Sequence, residues 1–326
     1  MKRAALFLLI LFLFVSTSGS ALYYWGYRTF HSPGKSEQAV RMVVPRGASL
    51  NRIAELLHEA RAIDMPRVFV LAARVSGEGR AIKAGEYEFA AGASQRTILT
   101  TLTLGRTVPR RITIPEGLSV DEVLALLNNT TALRGAASLP PEGSLLPETY
   151  RFELGDDRNA LIRRMTESMN DAVSSLWSTR AKGLPLDNPE QAIILASIVE
   201  KETGNPEERP RVAAVFLNRI RKGMRLQSDP TVVYGITRGH RPLGRAISRK
   251  DLATDTAYNT YRISGLPPGP ICNPGRNAIA AVLNPIRTDE LYFVADGTGG
   301  HAFAKTLAEH NRNVARWRRL QSSKKP

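Results

Sequence analysis

One run near the start, AALFLLILFLFVSTSGSALYYW (4–25), carries no charge and constrains the chain more than any other stretch. As a helix it would reach roughly 33 Å, enough to cross a hydrocarbon core of about 30 Å. Lys2 and Arg3 precede it, and Tyr23, Tyr24 and Trp25 end it like an interfacial aromatic belt. Gly19-Ser20-Ala21 also has the small residues of a cleaved export signal. Both readings send the body of the chain out of the cytoplasm. The retained anchor, with residues 1–25 as cytoplasmic tip and span, fits the long run and its aromatics better. Arg28 and Lys35 follow the span and blur the charge asymmetry that would fix its orientation.

The net charge of +15 suggests an anionic partner, and no helix-turn-helix, zinc or RNP pattern supports nucleic acid. Anionic lipid or an acidic polymer suits an exported basic surface, which also serves solubility. The single cysteine, Cys272, excludes an intramolecular disulfide and any cysteine-based metal site. The five histidines (31, 58, 240, 301, 310) show no ligand spacing, so neither metal nor cofactor is expected.

Residues 26–40 read as a polar linker, after which a strand–turn–helix pattern occurs twice. Val43-Val44-Pro45-Arg46-Gly47-Ala48-Ser49-Leu50 matches Thr113-Ile114-Pro115-Glu116-Gly117-Leu118-Ser119-Val120 at a constant offset of 70 (115 − 45). Ser49 and Ser119 are placed as N-caps, and Ser119 with Glu122 forms a capping box. Together with a later strand at Gly85–Phe89, the unit resembles LysM modules, which bind N-acetylglucosamine-containing glycans. Residues 41–157 are therefore expected to be a LysM-like glycan-binding region, and 158–326 a mixed α+β domain carrying the chemistry. The whole reads as an α+β protein behind a transmembrane helix.

Within the second region, Asn188 and Pro189 open a helix, AIILASIVEKET follows, and Gly204 is expected to end it. Glu200 falls on the stripe of Ile193 and Ala196, whereas Glu202 turns to nearly the opposite face. That spacing singles out Glu200 as the buried carboxyl. Desolvation and the helix C-terminus would both raise its pKa, keeping a proton for general-acid work. A solvated Glu-Lys-Glu terminus is the plainer alternative. A second capped helix runs from Asn205 to Gly223. The polar loop after it and the expected strand Ala257–Tyr261 bring Asn218, Gln227, Asp229, Tyr234, Asn259 and Tyr261 as candidate sugar-binding groups, though Asn and Asp before Pro are also ordinary turn formers. The stiff loop Gly265–Ile271 walls a groove or simply connects.

SIVEKET, FLNRI, GMRLQSDPTVVYG, AYNTY, GLPPGPI and LYFVADGTGGHAF, in this order over 40–320, resemble the endolytic murein transglycosylase family (MltG, YceG-like). The resemblance implies a single-pass inner-membrane protein with its catalytic part outside the cytoplasm. It implies cleavage of nascent peptidoglycan glycan strands between N-acetylmuramic acid and N-acetylglucosamine, leaving a 1,6-anhydro end that terminates elongation. It places the catalytic glutamate on Glu200, the first of Ile-Val-Glu-Lys-Glu-Thr. The chain departs from the family pattern at Gly143–Pro147 and at Cys272-Asn273.

Two other functions compete. A lysozyme-like hydrolase would use Asp229 as a second carboxylate. A membrane-anchored glycan-binding scaffold would recruit peptidoglycan synthases without catalysis. At the C-terminus, Leu291–Ala295 and His301–Lys305 flank a five-residue loop and read as a hairpin, with His301 a strand residue. A final helix starts near 306, and SSKKP (322–326) reads as disordered.

Overall fold

The computed structural model describes residues 2–323. The chain forms two compact units, one made of residues up to Arg110 with Phe152–Gly155, the other of Arg111–Arg151 with Asp156 onward. The architecture is mixed α+β with an N-terminal apolar helix.

The first unit opens with helix α1 (Lys2–His31), which contains a span long and apolar enough to cross a membrane (Leu6–His31). Strand β1 (Val40–Val44), helices α2 (Leu50–Glu59) and α3 (Pro66–Val75), strand β2 (Gly85–Phe89) and helix α4 (Gln95–Leu104) follow. β1 and β2 pair antiparallel, Val40 opposite Phe89 and Val44 opposite Gly85. The core collects the inward faces of these elements, including Val44, Leu57, Phe69, Tyr87, Ile98 and Leu102. Ser49 accepts from the Arg52 amide and starts α2 as its position predicts.

The second copy of the repeat belongs to the other unit. Strand β3 (Arg110–Thr113) pairs with β4 (Thr149–Phe152), and α5 (Val120–Asn129) lies between them in sequence. Its capping box between Ser119 and Glu122 is complete. The expected boundary at 157/158 is not where the contacts divide, and the turn explains why. Where the first copy has Arg46, the second has Glu116, which accepts a hydrogen bond from Arg209 at 2.9 Å. Beside it, the Gly117 amide donates to the Asn273 carbonyl (3.0 Å), and the Gly117 carbonyl accepts from Lys201 (3.2 Å).

Helices α6 (Arg158–Ser178), α7 (Pro189–Glu202), α8 (Arg209–Arg221), α9 (Asp229–Thr237), α10 (Arg249–Ala253) and α11 (Arg276–Leu283) build the rest. The antiparallel hairpin β5 (Tyr292–Ala295) and β6 (His301–Ala304) then leads into α12 (Leu307–Ser323). Ser322 and Ser323 of the expected disordered tail close that helix, and 324–326 lie outside the described residues. α7 is the centre of the core. Leu195, Ala196, Ser197, Ile198 and Val199 are all fully buried, packed among α6, α8, α9 and α11. A helix apolar all round is an interior helix.

Three local expectations change. α7 ends at Glu202 because Thr203 turns extended and its hydroxyl accepts from the Asn205 amide, so Gly204 is not used as a left-handed cap. Residues 229–237, read as loop, form α9, with Pro230 at the first turn where a missing N–H costs nothing. Ala257–Tyr261, read as strand, is a chain of turns around buried Asn259 and Thr260.

Candidate active site

Both glutamates at the end of α7 are enclosed. Glu202 is half-buried rather than turned to open solvent. It stands in line with Leu195, Ile198 and Val199, each 0% exposed. Periodicity located Glu200 correctly on an apolar stripe, but Glu202 lies on a more apolar one. The uninterrupted Ile-Leu-Ala-Ser-Ile-Val was the available signal that both faces are interior.

Their surroundings differ in kind. The Glu200 side chain is only 4% exposed, and both its oxygens are taken. Oε1 accepts from Arg209 at 2.8 Å and Oε2 from the Gly275 amide at 2.9 Å. Arg209, itself buried, also holds Glu116, so an arginine joins two carboxylates. Burial raises the Glu200 pKa, while the Gly275 amide and Arg209 oppose that shift. Glu116 adds to the rise and the net shift is upward, so Glu200 differs from its neighbour chiefly in having a donor fixed on each oxygen. Gly275 has no room for a side chain, since a Cβ would lie 1.9 Å from Glu116 Oε1. Gly275→Ala is expected to cost about 1–3 kcal/mol by overpacking, seen as a lower melting temperature.

Glu202 accepts from the Ser228 hydroxyl at 2.5 Å, and among the described residues no arginine forms an ion pair with it. Burial drives its pKa up to about 7, with the neighbouring charge of Asp229 adding to the rise. Ser228, His301 and Arg219 pull the other way without reversing it. A carboxyl raised that far is about half protonated at neutral pH. Around it, Asp229 and Gln227 are exposed, and the Tyr261 hydroxyl donates to Asp229 Oδ1 at 2.7 Å. Gln227 adopts a left-handed conformation (φ 53°), its amide tied to the Thr260 carbonyl at 3.2 Å. Behind the turn, buried Arg219 donates to the Leu226 carbonyl and the Leu291 carbonyl, both at 2.7 Å. His301 sits in β6, and the pair of His301 Nδ1 and Glu208 Oε2 closes at 2.7 Å.

Of the six sugar-binding candidates, Gln227, Asp229 and Tyr261 gather beside Glu202. Asn218 and Asn259 spend their amides on backbone: Asn218 donates to the Thr288 and Glu290 carbonyls, and buried Asn259 to those of Leu252 and Thr254. Tyr234 belongs to another cluster, where its hydroxyl donates to Glu142 Oε2 at 3.3 Å. Glu142 also accepts from the Val120 amide at 2.9 Å, and burial pushes it up to about 7. Asn273, one of the two residues at the departure from the family pattern, completes this cluster. It is fully buried, accepts from the Leu145 amide at 3.0 Å and donates to the Leu118 carbonyl at 3.0 Å. Ser228 and Glu142 escaped the sequence reading because serine in a turn and glutamate after Pro-Pro look like surface residues.

Glu202 beside exposed Gln227 and Asp229 and half-buried Tyr261 forms a candidate site for general acid–base catalysis. The chain belongs to the YceG-like family, whose sequence profile matches residues 42–316. It is 30% identical to an endolytic murein transglycosylase of Bacillus subtilis, over 85% of this chain and 84% of that protein. A Streptococcus pneumoniae protein of the same name is also 30% identical, and the match spans 86% of this chain and 58% of its length. Among solved structures, a yceG-like protein from Listeria monocytogenes superimposes with a TM-score of 0.52 at 29% identity, covering 85% of this chain and 99% of that one.

Proposed function

We propose that this chain is a peptidoglycan lytic transglycosylase that cuts glycan strands internally, with Glu202 as its acid and base. The observation that carries the assignment of the residue is the Glu202 carboxyl, enclosed, bonded to Ser228 and raised to about 7. The family and the shared name of its relatives support the reaction. Glu202 donates its proton to the oxygen linking N-acetylmuramic acid to N-acetylglucosamine, and the C1–O bond breaks. The carboxylate then takes the proton of the muramic C6 hydroxyl as its oxygen closes on C1. A 1,6-anhydro ring forms, a free 4-hydroxyl remains on the leaving sugar, and Glu202 regains its proton. Asp229, held by Tyr261, supplies negative charge beside the developing oxocarbenium ion.

Glu200, the residue expected from the sequence, serves here as the fixed member of the Glu116–Arg209–Glu200–Gly275 network. Arg209 and the Gly275 amide each donate to one of its oxygens and hold the side chain in place. Mass analysis of products from purified glycan strands tests the reaction. Anhydromuramic ends at internal positions are expected. Reducing muramic ends would establish the hydrolase reading, with Asp229 as the second carboxylate.

The pH dependence follows from the acid role. Because Glu202 must be protonated, kcat/KM is expected to bend near pH 7 and to fall about tenfold per pH unit above it. A profile flat from pH 6 to 9 would exclude a carboxyl acid with this pKa.

The β1–α2–α3–β2 arrangement of the first unit supports a LysM-like glycan-binding role. α1 supports anchoring as a single span in the inner membrane, with both units outside the cytoplasm and the site near emerging strands. Sedimentation of the full-length Glu202→Gln protein with insoluble peptidoglycan tests the first of these. Extraction from membranes by detergent but not by salt or carbonate tests the second. Synthases are the partners that such a location makes available, and co-purification from membranes tests them.

A further inference from the structure

The first unit contains a cavity of about 1370 Å³ between α1 and α3. Its apolar walls include Leu22 and Phe30 from α1 and Leu71 and Val75 from α3. Leu71 is 64% and Val75 81% exposed, an apolar face that none of the described residues covers. Along α3 the residues Arg67, Leu71, Arg74 and Val75 follow the i, i+4, i+7, i+8 spacing of one helical stripe. Cations therefore alternate with the apolar residues on the side that lines the cavity.

Charge in the cavity is not cancelled. Glu55 lines it but pairs with Arg52 at 3.1 Å, and Arg96 pairs with Glu78. Arg74 donates to the neutral Asn51 Oδ1 at 3.2 Å, and among the described residues neither Arg67 nor Arg74 forms an ion pair. The groove is thus an apolar slot with two uncompensated guanidinium groups. It is continuous with the candidate membrane span, which contributes Leu22 and Phe30 directly.

We propose that this groove binds an anionic diacyl phospholipid of the leaflet on the side of the two units. The acyl chains would cover Leu71 and Val75, and Arg67 and Arg74 would hold the phosphate, guanidinium being well matched to phosphate oxygens. A bound lipid would seat α3 on the bilayer surface. This inference rests on the reading of α1 as a retained anchor.

The test uses the full-length protein in vesicles. Cys272 is buried, so Val75→Cys offers one accessible thiol for an environment-sensitive fluorophore. Flotation of the labelled protein with phosphatidylcholine vesicles reads the anchor separately from the groove. Spin-labelled phosphatidylglycerol is expected to quench the dye about fivefold more strongly than spin-labelled phosphatidylcholine at equal mole fraction. Arg67→Gln with Arg74→Gln should equalise the two while flotation persists. Equal quenching with the arginines intact, water-like emission, or blue-shifted emission quenched by neither lipid overturns the proposal, the last pointing to a protein occupant. Failure to float would instead remove the anchor reading and the groove proposal together.

Discussion

Glu202→Gln is expected to lower turnover of glycan strands by about 10²- to 10⁴-fold while leaving the protein folded. Glutamine keeps the shape and can still accept the Ser228 hydroxyl, but it has no proton to give the leaving oxygen. Stability should shift in a direction that marks the same carboxyl. Folding raises Glu202 from its ordinary 4.5 to about 7, so the folded state binds the proton more tightly than the unfolded one. Stability then falls as pH rises from about 4.5 to about 7 and levels off above. Removing the carboxyl removes that loss, so the variant should gain on the order of 3 kcal/mol over the parent at pH 8 and little at pH 4. Glu142, also raised to about 7, adds a decline over the same window that this substitution leaves in place. Melting curves at the two pH values read the difference. An active Glu202→Gln protein would return the acid role to Glu200.

Arg209→Met is expected to destabilise the second unit by about 3–5 kcal/mol, because it strands Glu200 in the interior without its partner. For a unit of this size that corresponds to a fall in melting temperature of roughly 10 °C or more. The Glu116 carboxylate, brought in by the same arginine at 2.9 Å, would then repel Glu200 rather than share a cation with it. Combining Arg209→Met with Glu200→Gln should recover much of the loss, since the uncompensated charge is gone, and the two effects will not add. Activity per folded molecule, measured well below the transition, should stay within several-fold of the parent. A fully folded but inactive Glu200→Gln protein beside an active Glu202→Gln one would overturn the division of roles. The two substitutions thus separate a group that reacts from a group that holds.

The helix caps, the repeat and the C-terminal hairpin were legible because each depends on residues within a few positions of one another. Ser119 with Glu122 and Asn188 with Gln191 satisfy helix N–H groups locally, whatever surrounds the helix. Helix α9 and the turns at 257–261 were not legible because the hydrogen bonds that fix them run between distant segments. The Ser228 amide binds the Thr260 hydroxyl at 2.9 Å, and Thr231 and Thr260 join their hydroxyls at 2.8 Å. No window of either segment contains its partner.

The sequence by itself determined the apolar first helix, the ends of most helices, the motif order that marks the family, and the short segment that carries the two candidate glutamates. How its two glutamates are held was decided only by tertiary structure. Local spacing turns Glu202 to the opposite face of α7, but the packing of α6, α8, α9 and α11 leaves that face half-buried. Glu200 then meets an arginine nine residues away and a glycine amide 75 positions on, while Glu202 meets a serine hydroxyl and a second carboxylate. A carboxyl's proton affinity is set by the charges and donors facing it, and the fold supplies those from sites the helix sequence does not contain.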